Sequence, residues 1–371
     1  MIGKATKLGK MENKIYVHPV ALHTPIGTDL SSNWNSLCAG KTGIQLHEKL
    51  GVHQEDLYLS LFHKEETVNP YDQLLKKGLH DILTFHSSID FSSERTLFIV
   101  SSTKGNIEDI TQDAFASTRD IISQTTNNPN PAVILSNACI SGVSAINIAA
   151  NYIRAKRMDH VVVIGIDIVW NFVKYGFQSL YAMSDLPVQP YDADRKGVNL
   201  GEALGAVIVS NQQINQEAVA YVSGSNSNDA NHISGPTRTG EGLVRTVEQT
   251  LQRAQLTAEQ IDFISGHGTG TVFNDEMESI AFSRLNMSST PIHSLKGYYG
   301  HTLGAAGVIE TIVAIQMLIK QQTISNIGFV KPGTTEPLAI CQENKAFAMK
   351  RILKTASGFG GGNASLIIEK L

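Results

Sequence analysis

Cys139 closes the run Ile134-Leu135-Ser136-Asn137-Ala138-Cys139-Ile140-Ser141-Gly142, where an apolar strand gives way to small residues and then to a helical pattern. A thiol at a helix N-terminus meets unpaired N–H groups, which favour the nucleophilic thiolate. Taken alone, the same residue is as easily a buried structural cysteine. His267 lies in Ser265-Gly266-His267-Gly268-Thr269-Gly270-Thr271, where glycines allow close approach and Thr269 and Thr271 offer hydroxyls to a polar ligand arm. His301 stands just ahead of a helix whose first turn is made of small residues, Leu303-Gly304-Ala305-Ala306-Gly307. The segment Ser357-Gly358-Phe359-Gly360-Gly361-Gly362-Asn363 is a turn whose backbone N–H groups could line an anion hole. It lacks the last glycine of G-x-G-x-x-G and opens no strand-to-helix unit, so dinucleotide binding is a poor reading. There is no H-E-x-x-H or C-x-x-C, and no metal is expected. The other ten histidines, and Cys38 and Cys341, have no motif around them and are read as structural.

The elements that must position these residues alternate between short β-rich runs and longer helical patterns. Strands are expected at Lys14–Ala21, Thr96–Ser101, Ala132–Ser136, His160–Ile166, Ala203–Val209, Ala218–Ser225, Phe263–Ser265, Lys345–Leu353 and Ala364–Glu369. Several are nearly continuous Val/Ile runs, as in strands covered on both faces. Helices fit Asn147–Lys156, Gly242–Ala254, Asn274–Arg284 and Ala305–Gln321. A soft boundary falls near Asn211, giving an extension at 1–12 expected to be disordered, an N-terminal half at 13–210 and a C-terminal half at 211–371. The similar βα content of the halves predicts two comparable α/β layers packed together.

Bulk properties narrow the function. Thirty basic residues against thirty-four acidic ones, net charge −4, give no broad basic face, so nucleic acid is not an expected partner. Three cysteines are too few for a disulfide framework and indicate a reducing compartment. The apolar stretch from Ala132 to Ile153 is broken by Ser136, Asn137, Ser141, Asn147 and Asn151, so it reads as core and not as a membrane span. A soluble, cytoplasmic protein is expected.

In their order and wording these segments resemble the β-ketoacyl-acyl carrier protein synthases of the elongating, Cys-His-His type, in the thiolase superfamily. The resemblance runs from Thr24-Pro25-Ile26-Gly27 through Trp34 and Leu37–Ile44 to Phe359–Asn363. It includes Pro190-Tyr191-Asp192-Ala193-Asp194-Arg195 and Gly201-Glu202-Ala203. It implies a thiolase-like layered αβαβα fold built from two similar halves. It also implies roles. Cys139 would carry the acyl group, while His267 and His301 would assist decarboxylation of a malonyl-type thioester. The N–H groups of Cys139 and Phe359 would hold the oxyanion, Phe359 doubling as a gate. Lys296 and Glu278 would form a supporting charged pair. Thr269 and Thr271 would meet the phosphopantetheine arm, with no resident cofactor. Trp170, Phe172, Phe177 and Met183 fall where relatives wall the acyl tunnel, with Phe177 the first candidate and Trp170 the second.

The implied partners are an acyl carrier protein and a second subunit, in a homodimer or a heterodimer with a related synthase, paired through His160–Ile166. A thiolase would need a second cysteine in the C-terminal turn, and an initiating synthase an asparagine in place of His301. A non-catalytic subunit of the chain-length-factor type is the alternative; such subunits usually lose the nucleophile, which this chain keeps. The sequence departs from the family by being short between Ile44 and Cys139. The basic cluster expected before Asp72 is reduced to His63 and Lys64 beside Glu65 and Glu66. Fatty acid and polyene or polyketide products both stay open, the shortening favouring the latter.

Overall fold

The computed structural model describes residues 14–63, 69–107, 111–229 and 237–371. The expected extension at 1–12 and the residues Lys64, Glu65 and Glu66 lie outside the described residues.

The N-terminal part runs β1 (Ile15–His23), α1 (Leu30–Cys38), β2 (Gln45–His47), β3 (Leu57–Leu59), α2 (Pro70–Thr84), β4 (Thr96–Ser101) and α3 (Ala116–Thr126). It continues through β5 (Val133–Leu135), α4 (Ser141–Arg154), β6 (His160–Asp167), α5 (Asn171–Ser179) and β7 (Ala203–Ser210). The C-terminal part runs β8 (Val219–Asn228), α6 (Glu241–Ala254), β9 (Phe263–Ser265), α7 (Val272–Arg284) and β10 (Ile292–His293). It ends with α8 (Lys296–Tyr299), α9 (Ala306–Lys320), β11 (Arg351–Gly358) and β12 (Gly362–Glu369).

Ten of these strands form one sheet in the order β10-β9-β11-β12-β8-β1-β7-β6-β4-β5. Outward from the β1/β8 junction the two arms are alike. The order β1-β7-β6-β4-β5 on one side matches β8-β12-β11-β9-β10 on the other. In each arm two antiparallel pairings are followed by two parallel ones. The arms enclose α4 and α9, which pack on each other and on strands of both. Helices α2 and α3 cover the outer face of the first arm, and α6 and α7 that of the second. The result is five layers, helix–sheet–helix–sheet–helix, the arrangement expected for helices packed on both faces of mostly buried strands.

Helix α9 explains its own composition. Every residue from Ala306 to Leu318 is buried, because the helix has a sheet arm on each side and no face to give to water. Leu303–Lys320 is long and apolar enough to cross a bilayer, yet 89% of it is buried, so it is a core helix. Truncating one of its large residues, Leu318→Ala for example, would cost roughly 2–5 kcal/mol through lost burial and the cavity left behind.

The sheet corrects one expectation. Strand β6 is hydrogen-bonded to β4 on one side and β7 on the other, so His160–Ile166 presents no free edge to a second subunit. In the ten-stranded sheet the strands with a neighbour on only one side are β10 at one end and β5, which leads into Cys139, at the other.

Candidate active site

The turn after β5 carries Cys139. Ala138 adopts φ +45°, and Ser141 cinches the turn by accepting from the Asn137 N–H at 2.8 Å and donating to the Ala138 carbonyl at 2.6 Å. Helix α4 then begins against the start of α9 with backbone on backbone. A Cβ on Gly142 would lie 2.6 Å from Val308 N, and one on Gly307 2.4 Å from Val143 N. Side chains there would force the helices apart, which is why small residues follow both Cys139 and His301. The crossing brings the loops that open α4 and α9 together, and His301 Nε2 lies 3.0 Å from Cys139 Sγ. The His301 main chain is tied to the 199–201 segment: its N–H donates to Asn199 O at 2.6 Å and its carbonyl accepts from Gly201 N at 3.0 Å.

His267 follows β9, with its ring edge-on to that of His301, centroids 5.3 Å apart. Its turn is gripped by charge on both sides. Glu278 accepts from the N–H groups of His267 (2.7 Å) and Gly268 (2.6 Å), and Asp275 accepts from that of Thr269 (2.9 Å). The His267 carbonyl accepts from Lys296 Nζ at 2.5 Å. Lys296 and Glu278, expected as a pair, hold this turn from its two sides, and the Lys296 cation acts on the Glu278 carboxyl. The ion-pair partner of Lys296 is Glu310 on α9, Oε1 to Nζ 2.8 Å, while Glu278 is occupied by peptide N–H groups. Glu310 escaped the sequence reading although it is the single acidic residue in α9, an isolated charge inside an apolar helix.

The hydrogen bonds assign the imidazole tautomers. Leu303 N donates to His301 Nδ1 at 3.2 Å, and Lys296 Nζ, which can only donate, lies 3.4 Å from His267 Nδ1. A neutral ring whose Nδ1 accepts holds its proton on Nε2. Both rings are neutral: burial first, and then the Lys296 cation, hold His301 down to about 3 and His267 well below its ordinary value. Cys139, His267 and His301 have ligand atoms within 4.8 Å of one another, close enough to share a metal ion. With both Nδ1 atoms occupied, each Nε2 has a proton and no lone pair to give. The cluster suits hydrogen-bond donation better than metal ligation.

Cys139 differs from its expectation. Burial pushes the thiol up to about 12, although Lys296 pulls it down. Cys139 is only 7% exposed, and lost solvation disfavours its thiolate. The Phe359 N–H points at this sulfur.

A cavity of about 590 Å³ reaches Cys139, His267 and His301 and is also lined by Thr269, Thr271 and Phe359. The two threonine hydroxyls are 2.8 Å apart. Phe177, on α5, lines the cavity too, its ring 5.5 Å from that of Phe359. Trp170 does not line it: Nε1 donates to Gly105 O at 3.0 Å and the ring packs on the outer core of the first arm. Phe172 is 54% exposed, and Met183 packs in a small cluster with Leu57 and Val198.

A family model described as "Beta-ketoacyl synthase, N-terminal domain" matches residues 101–214, and one described as "Beta-ketoacyl synthase, C-terminal domain" matches 218–330. The chain is similar to "3-oxoacyl-[acyl-carrier-protein] synthase 2" of Rhizobium meliloti, 32% identical over 65% of this chain and 61% of the relative. It is also similar to the putative mitochondrial 3-oxoacyl-[acyl-carrier-protein] synthase of Schizosaccharomyces pombe, 31% identical over 63% of this chain and 60% of the relative. The matched part thus spans about three-fifths of those relatives. A solved ketosynthase in complex with its chain length factor, from Xenorhabdus doucetiae, superposes with a TM-score of 0.86 at 23% identity, over 96% of this chain and 98% of that one. That likeness establishes the thiolase-like fold. The two family models lie side by side over more than half of the sequence, and the chain belongs to the β-ketoacyl synthase family.

Proposed function

We propose that this chain is a condensing enzyme that joins an acyl thioester to a malonyl-type thioester on an acyl carrier protein, by decarboxylative Claisen reaction. The observation that carries the reading is a thiol 3.0 Å from one Nε2–H, with a second neutral imidazole beside it, at the bottom of a cavity. In the first step Cys139 Sγ attacks the acyl carbonyl, and its proton leaves with the carrier's thiol. In the second the malonyl carboxylate departs as CO2, and its C–C bonding pair becomes an enolate whose oxygen accepts from the Nε2–H groups of His267 and His301. The enolate carbon then attacks the Cys139 thioester. The tetrahedral oxyanion accepts from the N–H groups of Cys139 and Phe359, and its collapse releases the 3-oxoacyl carrier and expels the Cys139 thiolate, which takes a proton from solvent to restore the thiol. Fixed donors aimed at developing charge supply most of the stabilisation, and the covalent intermediate divides the reaction into easier steps.

Residues 13–210 would act as the half that supplies the nucleophile, and 211–371 as the half that supplies both histidines. Thr269 and Thr271 would hold the phosphopantetheine arm, with Phe359 and Phe177 at its entrance. The pairing partner, a second copy or a sister subunit, would add its edge strand to β5. The three free cysteines suit the cytoplasm. Retention of Cys139 and both histidines favours a catalytic subunit over one that only shapes a heterodimer.

Intact-protein mass after incubation with an acyl-carrier thioester tests the reading. The wild type should gain one acyl group and Cys139→Ala none; label persisting on the variant would refute the assignment.

A further inference from the structure

Lys354, fully buried on β11, takes no part in the steps above. Its Nζ donates to the carbonyls of Ser265 and Gly266, each at 3.2 Å, and to Thr355 O at 2.6 Å. It also forms an ion pair with Glu310 Oε2 at 2.6 Å. An unpaired ammonium this deep would be costly, yet Lys354 shares a carboxylate already engaged by Lys296. Both ammonium groups lie on the Glu310 carboxylate and also act on the Glu278 carboxyl, and together they place positive charge directly behind the histidines. The two lysines also divide the His267 turn between them. Lys354 holds the carbonyls of Ser265 and Gly266, and Lys296 holds that of His267.

Resting on the condensing reading, we propose that Lys354 is a positioning residue. It fixes the turn that carries His267 and adds positive charge that helps to keep both imidazoles neutral, with Nε2–H donating. Other charged or titratable groups face the pair from every side: Glu278 and Asp275 from α7, Asp167 from β6, His293 from β10, Tyr191, and Cys139 ahead of α4. Of these, Asp275 lies 3.9 Å from Arg195, and Glu278 is engaged by two peptide N–H groups. Burial comes first and Lys296 next in holding the rings below their ordinary value, and Lys354 acts in the same direction on both. A protonated His267 would turn an Nδ1–H towards the Lys296 ammonium, and a protonated His301 would turn one towards the Leu303 N–H. Each ring would then leave its place. Activity should therefore fall as pH drops through the histidine midpoint, and losing Lys354 should move that fall to higher pH.

The experiment uses the full chain with Lys354→Met, which removes the charge, and Lys354→Arg, which keeps it. Ring-15N histidine spectra, assigned with His267→Ala and His301→Ala, follow protonation without turnover. Decarboxylation of malonyl-carrier against pH follows function. The expected result for Lys354→Met is a protonation midpoint for His267 or His301 raised by roughly one pH unit or more. The acid limb of decarboxylation should move with it, and Lys354→Arg should retain the wild-type values. Unchanged midpoints in Lys354→Met, or equal shifts in the Met and Arg variants, overturn the proposal. If the wild type does not decarboxylate, the condensing reading fails while the midpoints still decide the role of Lys354. Should Lys354→Met not fold, Lys354→Gln, which keeps two donors for the carbonyls, is judged by the same criterion.

Discussion

A thiol sealed from water is a poor nucleophile until its proton has a destination. Cys139 is of this kind: burial raises it to about 12, so thiol and not thiolate is the resting form at neutral pH. Alkylation by iodoacetamide, followed by peptide mass, should therefore keep rising by about tenfold per pH unit from about pH 7 to about pH 10. A plateau near neutrality would mean that the His301 Nε2–H and the start of α4 hold a thiolate after all. The clustered residues were legible because Cys139 and His267 each follow a strand-like run among small residues and His301 precedes a helix that opens on small residues, patterns that ordinary core packing does not require. Glu310 and Lys354 were not, because a single charge in an apolar run looks the same whether it meets a partner or reaches solvent. Only the fold shows that α9, β11 and α8 bring these charges to one point.

Elements explain why the site is as tight as it is. The α4/α9 crossing tolerates no side chain at Gly142 or Gly307, and the separation of Cys139 from His301 depends on it. Gly307→Val should lower stability by roughly 1–3 kcal/mol through overpacking and should depress condensation more than it depresses folding. Thermal melting beside turnover checks this; a stable variant with full activity would show that the crossing can slip without cost. Strands β4 and β9 have the bounds expected from their sequences, and the Val/Ile runs of β6 and β7 are as plain. Strand β11 was misplaced, expected at Lys345–Leu353 and found at Arg351–Gly358, because Ser357 and Gly358 look like turn residues. Pairing with β12 through Gly358↔Gly362 extends the ladder over them. Helix α2 went unread because Gly78 interrupts it; that glycine lies flat against Leu204, where a Cβ would come within 2.5 Å.

At the scale of the molecule, β5 is an edge with half-buried residues along it, the kind of strand that invites pairing. Light scattering should give about twice the 40.2 kDa chain mass, or the mass of a mixed pair when a sister subunit is supplied. Amides of Val133–Leu135 should lose exchange protection on dilution. A monomer at micromolar concentration with protected β5 amides would exclude this mode of assembly. The matching strand order of the two arms has a different consequence. Cys139 leaves β5 for α4 as His301 leaves the β10 side for α9, so thiol and imidazole occupy equivalent stations of one repeated topology. Two identical units placed back to back would carry the same residue at both stations, two thiols or two imidazoles, and neither pair could both accept an acyl group and hold an enolate. Joining the units in one chain frees each station to change alone. The asymmetry on which the chemistry depends is thus a property of covalent fusion, available to an internal repeat and closed to a symmetric dimer of half-sized ancestors.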